Sequence, residues 1–279
     1  MTKGRSLPAI AGHAFRENMS KHTKNNPTSP KGTVGYFSGC NNDFVFPDTS
    51  DNVVKVLQDL NYAVVYPMEQ SCCGKPIMGV GDRDAGRTAA KRNIEAFEKL
   101  NVDVILAACP TCTETLHSSY MELLKDDPEW SKRAEAFCHK VREFTSFVYE
   151  EYEKEGRIHG ERLSDEKMTY HDSCHMKRGL GVHDEPRKLI ESAAGVEYVE
   201  MEKPDKCCGM AGSFGIKYEN ISKNLLEEKV QNIKATGAGT CVVACPACMM
   251  QIGGGLDSHK TGIKVKHIAD VLAERLDKK

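Results

Sequence analysis

Short apolar runs alternate with longer amphipathic stretches along most of this chain. Thr33–Phe37, Tyr62–Tyr66 and Val104–Ala108 read as β-strands, and between them Asp51–Leu60 and Asp84–Leu100 carry apolar residues at helical spacing. The same succession then returns. Met168–His171, Glu197–Met201 and Val242–Ala244 read as strands, separated by helical stretches at Glu185–Ala194 and Ser222–Ala235. A further helix is expected after each third strand, and Lys140–Phe144 echoes Lys264–Ile268. Strands alternating with helices predict βαβ units and a parallel sheet in each half. The fold class that follows is α/β, as two Rossmann-like parallel-sheet halves related by internal duplication and pseudo-twofold symmetry.

The halves are expected at residues 32–150 and 168–279. Between them, residues 151–167 are nearly all charged or polar and read as a linker. Residues 1–31 hold six Lys/Arg against the single acid Glu17, with Asn, Pro and Ser clustered near their end. This composition predicts a flexible basic arm, either a solvated linker or a dock for an acidic partner.

Superimposed on the strand and helix pattern is a cysteine pattern. The first half carries Cys40, then Cys72-Cys73-Gly74, then Cys109-Pro110-Thr111-Cys112; the second carries Cys174, then Cys207-Cys208-Gly209, then Cys245-Pro246-Ala247-Cys248. Written as gaps, C-x31-CCG-x34-CPTC is followed by C-x32-CCG-x35-CPAC, each spacing preserved to one residue. Every repeated cysteine falls at or after the C-terminal end of an expected strand, where parallel sheets gather their sites. Each half can therefore bring five thiols into one crevice. The prolines suit the first turn of a helix. A helix N-terminus favours the thiolate that metals bind.

Composition narrows the chemistry. At 279 residues the chain can bury a core without help from disulfides or metal, so its twelve cysteines need another reason. Its formal charge of -2 argues against a surface built to neutralise nucleic-acid backbones. No apolar run approaches the roughly 18 residues of a membrane span, and no secretory h-region follows the N-terminal basic residues. A reducing cytoplasm is the expected compartment, where clustered cysteines point to metal or redox chemistry. Five thiols per half exceed the four of a tetrahedral structural zinc site. A dithiol redox reading of Cys-Pro-x-Cys leaves three cysteines per half idle. Iron-sulfur clusters use such a set more fully.

The tandem pattern resembles the cysteine-rich CCG-domain proteins: the cysteine-rich subunit of heterodisulfide reductase, and the iron-sulfur subunits of glycolate oxidase, anaerobic glycerol-3-phosphate dehydrogenase and the lactate utilisation protein A group. The stretch Tyr170-His171-Asp172-Ser173-Cys174-His175, with Cys207-Cys208-Gly209-Met210-Ala211-Gly212-Ser213-Phe214, looks closest to the lactate and glycolate branch. The resemblance implies two 4Fe-4S clusters, noncubane in the heterodisulfide reductase relatives. One would be held by Cys40, Cys72, Cys73, Cys109 and Cys112, the other by Cys174, Cys207, Cys208, Cys245 and Cys248. It further implies an electron-transfer subunit of a multi-subunit 2-hydroxyacid or glycerol-3-phosphate dehydrogenase, with a catalytic disulfide reductase as the alternative. The partners implied are a flavoprotein dehydrogenase, a ferredoxin-type iron-sulfur subunit, or both, and any membrane association would be peripheral, through a partner. Several such relatives carry an N-terminal ferredoxin module with C-x2-C-x2-C-x3-C-P spacing. That spacing is not found here, so electrons are expected to come from another chain.

The remaining candidates read more plainly. Cys138 and Cys241 have no counterpart in the other half and read as buried small hydrophobes. His171 and His175 flank Cys174 but match Phe37 and Asn41, so a cluster as such needs neither; they read as polar neighbours or as groups tuning the site. Gly79, Gly81 and Gly86 lack dinucleotide-binding spacing. Gly209, Gly212 and Gly215 are expected to let backbone N–H groups approach sulfur, and Gly253–Gly255 to end a helix.

Overall fold

The computed structural model describes residues 6–159 and 164–277, so part of the expected arm (residues 1–5) and of the expected linker (160–163) lies outside the described residues. The chain forms two compact units, residues 11–144, and residues 145–277 together with 6–10.

In the first unit the chain runs α1 (Phe15–Lys24), β1 (Gly32–Phe37), α2 (Gly39–Phe44), α3 (Pro47–Asp59), β2 (Tyr62–Val65), α4 (Lys75–Met78), α5 (Arg83–Glu98), β3 (Val104–Ala107), α6 (Pro110–Glu114), α7 (Tyr120–Leu124), α8 (Trp130–Lys140) and β4 (Val141–Glu143). A π-helical turn, Thr115–Ser119, joins α6 to α7. The four strands are parallel in the order β2-β1-β3-β4. A helix, α9 (Phe144–Lys154), follows.

The second unit repeats the plan with β5 (Lys167–His171), α10 (Glu185–Lys188), β6 (Glu197–Tyr198), α11 (Phe214–Lys217), α12 (Glu219–Ala235), β7 (Thr240–Val243), α13 (Pro246–Ser258), β8 (Lys264–His267) and α14 (Ile268–Leu276). Its parallel order is β6-β5-β7-β8. The expected βαβ units and parallel sheets are present twice, with the same strand order. Among the described residues no helix is long and apolar enough to cross a membrane.

The order places one topological feature at the same point in both sheets. From the first strand the chain goes outward to one neighbour, then returns to pair on the other side. Loops leaving the first and third strands therefore diverge and open a crevice at their carboxyl ends. Beneath it the first unit packs Phe37, Ile94, Phe97, Ile105, Leu116 and Phe137 into one core that also takes in Cys73, Cys109 and Cys112.

Several elements depart from the sequence expectation. The fourth strands, Val141–Glu143 and Lys264–His267, are short and half polar, and only pairing to β3 and β7 reveals them. Helix α3 starts at Pro47 rather than Asp51, because proline at its first position loses no hydrogen bond. The boundary also differs. Helix α9 runs to Lys154 with Phe147, Val148 and Tyr152 buried, so structured chain extends into the segment expected to be a linker. Gly253–Gly255 lie inside α13 rather than ending it. A Cβ on Gly255 would meet Leu226 Cδ1 at 2.8 Å, so the glycine lets α12 pack close.

The basic segment also differs from a wholly flexible arm. Phe15 is fully buried with its ring centroid 5.5 Å from those of Tyr36 and Tyr66. Arg16 Nε donates to the buried Asp43 Oδ2 at 2.7 Å. Asn26 accepts from the Val64 N–H at 2.9 Å and donates to the Val64 carbonyl at 3.0 Å, so its amide satisfies the outer edge of β2 where a further strand would pair. Composition hid this, because α1 has only Phe15 and Met19 on its buried stripe. Replacing Phe15 by Ala is expected to lower unfolding stability by about 3 kcal/mol or more, as for other core phenylalanines. A shift of under about 0.5 kcal/mol in denaturant titration, normal for surface positions, would restore the flexible-arm reading.

Candidate metal centres

The first group of thiols assembles from three loops. Cys40 lies in α2 after β1, Cys72 and Cys73 follow β2, and Cys109 and Cys112 open α6 after β3. Cys109 sits in extended backbone as the N-cap, with Pro110 in the first turn. Side-chain contacts run Cys40 to Cys72, Cys72 to Cys73, Cys73 to Cys112 and Cys112 to Cys109, linking all five. The group is graded in depth: Cys40 is exposed, Cys72 intermediate, and Cys73, Cys109 and Cys112 buried.

The second group repeats the order. Contacts run Cys174 to Cys207, Cys207 to Cys208, Cys208 to Cys248 and Cys248 to Cys245, the Cys208 and Cys248 sulfurs lying 3.5 Å apart. Cys174 and Cys207 are intermediate in exposure and the other three buried. Cys245 is again the N-cap, with Pro246 at the first position of α13.

In both vicinal pairs the following glycine turns the chain. Gly74 has φ +89° and Gly209 φ +87°, and each N–H points back at the first cysteine of its pair, to Cys72 Sγ at 3.5 Å and Cys207 Sγ at 3.3 Å. A Cβ on Gly209 would stand 2.7 Å from the Ser222 carbonyl oxygen. Of the three glycines expected to bring N–H groups to sulfur, Gly209 is the one seen to do so.

These thiols resist ionising together. Cys72 and Cys207 are pulled below the ordinary thiol range by hydrogen bonds from Cys40 and Cys174, then from Cys73 and Cys208. Their neighbours move the other way. Contact with Cys72 and burial push Cys40 up, and contact with Cys207 and burial push Cys174 up. Cys73 is drawn down by Cys112 but driven up to about 12 overall by Cys72 and burial; Cys208 reaches about 12 through Cys207 and burial, against Cys248. Cys112 is pushed up by Cys109, Cys73 and burial, and Cys248 by Cys208, Cys245 and burial. A positive charge among the sulfurs would favour the thiolates that contact and burial oppose. Soft, multiply charged metal is the partner such a donor set fits.

The supporting side chains differ between the groups. In the first, the buried Asn93 of α5 donates to the Cys72 carbonyl at 3.1 Å and to Tyr120 Oη at 2.8 Å, while Tyr120 donates to the Cys73 carbonyl at 3.0 Å. Gln70 accepts from the Ser38 N–H and donates to the Tyr36 carbonyl, tying the loop before the CCG to the end of β1. In the second, Ser222 donates to the Gly209 carbonyl at 2.8 Å. Lys229, 1% exposed, donates to the carbonyls of Lys203 at 2.7 Å and Pro204 at 3.1 Å, and burial lowers its pKa. Asp172, fully buried beside the cysteine loop, takes a bidentate pair from Arg187 at 3.0 and 2.9 Å. Burial works against the Arg187 charge, but hydrogen bonds to Glu200 and Asp172 outweigh it and raise its pKa.

None of these supports was singled out from the sequence. A signal existed for two of them: Asn93 lies among Ala90, Ile94 and Phe97 on the buried face of α5, and Lys229 among Leu226, Val230 and Ile233 on that of α12, polar residues where the helical period calls for apolar ones. Cys138 and Cys241 are fully buried, the former donating its thiol to the Leu116 carbonyl at 3.0 Å and the latter lying within β7.

The profile of the CCG family, described as a cysteine-rich domain, matches residues 34–117 and again 168–253. The chain belongs to the CCG cysteine-rich domain family. Each CCG match contains one complete group of five thiols. The chain is 39% identical over 249 residues to the probable glycolate oxidase iron-sulfur subunit of Bacillus subtilis (strain 168), covering 88% of this chain but 55% of that protein. It is 34% identical over 245 residues to lactate utilization protein A 2 of Bacillus cereus (strain Q1), covering 88% of this chain and 99% of the relative. It thus spans about half of one relative and nearly all of the other. A crystal structure of a hypothetical protein from Helicobacter pylori shares the fold, with a TM-score of 0.62 at 10% identity over 95% of this chain and 54% of that one.

The CCG turn itself is testable. Gly209→Ala places a side chain at positive φ against the Ser222 carbonyl and is expected to cost at least about 1 kcal/mol. Gly212→Ala, also at positive φ but with nothing within 4 Å of its added methyl, should cost less. Thermal unfolding of the metal-free variants compares them, and equal midpoints would remove the steric argument.

Proposed function

We propose that this chain is the iron-sulfur electron-transfer subunit of a multi-subunit oxidoreductase acting on 2-hydroxyacids of the glycolate or lactate kind. The observation that carries the reading is the pair of five-thiol groups, each running in contact from an accessible edge to a buried floor. The names of the relatives, an iron-sulfur subunit of glycolate oxidase and a lactate utilisation protein, support the same chemistry.

Cys40, Cys72, Cys73, Cys109 and Cys112 of the domain at residues 32–150 would hold one 4Fe-4S cluster, and Cys174, Cys207, Cys208, Cys245 and Cys248 of the domain at 168–279 the other. When bound, such clusters supply one-electron chemistry. The chain's own residues give each centre a fixed shape and two unlike sides. Buried cysteines keep the floor dry, and Asn93, Tyr120 and Ser222 lock the CCG backbone. The N–H groups of Gly74 and Gly209 donate to sulfur, an arrangement that tunes the potential of cysteine-bound iron. Cys40 and Cys174 lie at the accessible edge, where a flavoprotein dehydrogenase or a ferredoxin-type subunit could approach.

Anaerobically purified chain should contain about eight iron with matching sulfide and little zinc, the content of two 4Fe-4S clusters. Cys208→Ser should lose or convert about half of that iron, because metal binding and local folding are coupled. Cys138→Ser should keep all of it. Stoichiometric zinc without sulfide would end this reading, whereas full iron and an unchanged spectrum in Cys208→Ser would remove only the five-thiolate assignment.

A second test addresses the division of labour. The chain alone, loaded with iron and sulfide, should not oxidise lactate, glycolate or glycerol 3-phosphate with an artificial electron acceptor, since hydride removal from a hydroxyacid requires a flavin or nicotinamide supplied by another subunit. Sustained turnover by the isolated chain would show a complete dehydrogenase instead.

A further inference from the structure

The two thiol groups differ at one matching position. The last residue of β1 is Phe37 and that of β5 is His171, each three residues before the first cysteine of its group. Phe37 is fully buried and packs in the hydrophobic core, its ring 6.2 Å from that of Phe97. His171 is just as hidden, at 1% exposure, yet it carries two polar nitrogens into the interior.

The bonding of the first nitrogen decides the state of the second. His171 Nδ1 lies 3.1 Å from the Pro204 carbonyl oxygen. A carbonyl can only accept, so Nδ1 must carry the hydrogen. The same carbonyl is held by the Asp172 N–H and by Lys229 Nζ, each at 3.1 Å, which fixes where it points. In the neutral ring Nε2 is then left with a lone pair. It is buried and has no hydrogen-bond partner. Leaving a buried acceptor unsatisfied is destabilising, so a polar atom in this position needs a reason.

The thiol group stands next to this ring. A ring nitrogen of His171 and the sulfurs of Cys208 and Cys248 all lie within 4.8 Å of one another, and all three residues are buried. An imidazole that stands beside clustered thiols, with its Nδ1–H held by a backbone carbonyl and its Nε2 buried without a partner, has the arrangement of a metal-ligating histidine, whose other nitrogen is almost always so anchored.

We propose that His171 Nε2 is an iron ligand of the second centre, so that the two centres are unlike: thiolate alone in the first domain, thiolate with imidazole in the second. The assignment rests on the iron-sulfur reading above. His175, the neighbouring imidazole, is not part of it. Its Nδ1 stands 3.5 Å from Cys174 at the accessible edge of the group, away from the buried floor formed by Cys208 and Cys248.

The experiment uses the full chain, produced with isotopically labelled histidine and reconstituted anaerobically with ferrous iron and sulfide. Cys72→Ser and Cys73→Ser together remove the first centre and isolate the second. After reduction with dithionite, pulsed EPR should detect a label-sensitive nitrogen coupling at the second centre, absent from His171→Phe and retained in His175→Gln. Phenylalanine is what the first half carries at this strand position, so the substitution has a precedent in the fold; should it fail to fold, His171→Gln replaces it. Mössbauer spectra, which register iron in every spin state, should differ between the parent chain and the His171 variant in a minority of the second centre's iron. No histidine coupling in the labelled parent, a coupling that survives in the His171 variant, or identical Mössbauer spectra would each overturn the ligand assignment while leaving the iron-sulfur reading intact. Absence of iron and sulfide from the parent would overturn both.

Discussion

Five sulfur atoms held in contact are a liability that the rest of each domain is arranged around. Apart from Cys72 and Cys207, pulled down by their neighbours, the shifted thiols of the two groups resist ionisation, through contact with other sulfurs and through burial. The chain therefore cannot leave the grouping to side-chain preference and imposes it through the backbone. Three parallel strands end at one edge of the sheet, their loops diverge at the switch point, and a proline-started helix and a left-handed glycine aim the thiols inward. Bound metal would supply the positive charge that makes the grouping favourable, which would couple loading to stability.

The duplication preserves this scaffold and relaxes what surrounds it. Strand order, cysteine contacts and the positive-φ glycine are the same in both domains, because each is a geometric requirement of the five-thiol group. Whatever holds the loops from behind is free to change, provided the carbonyls and amides are satisfied. The first domain uses Gln70, Asn93 and Tyr120, and closes its sheet edge with Asn26 and α1. The second uses Ser222 and Lys229 and pairs the buried Asp172 with the partly exposed Arg187 near Cys174. Removing Arg187 would leave the fully buried Asp172 carboxylate without its bidentate partner, so these polar supports are not interchangeable surface contacts. Replacement of the apolar Phe37 by His171 at the matching strand end belongs to the same divergence, and it falls where it can alter the chemistry rather than the packing alone.

Much of this organisation was legible in the sequence, for a physical reason. Strands of four to six residues and helices of thirteen to seventeen carry a strong period, and a repeat with every cysteine gap kept to one residue can only reflect loops of the same shape. The ten grouped cysteines, the proline-started helices and the buried character of Cys138 and Cys241 follow from local pattern. What stayed hidden was set by contacts distant in sequence. Val141–Glu143 and Lys264–His267 are strands only because β3 and β7 offer them an edge, and α1 and the turn after it are ordered only because Tyr36, Asp43 and Tyr66 receive the side chains of α1 and the edge of β2 receives Asn26. The tautomer of His171 depends on a carbonyl thirty-three residues away, at Pro204. Periodicity and spacing act along the chain and determined the elements and the donor set; pairing, burial and the direction of a lone pair act across it, and only the tertiary structure could decide them.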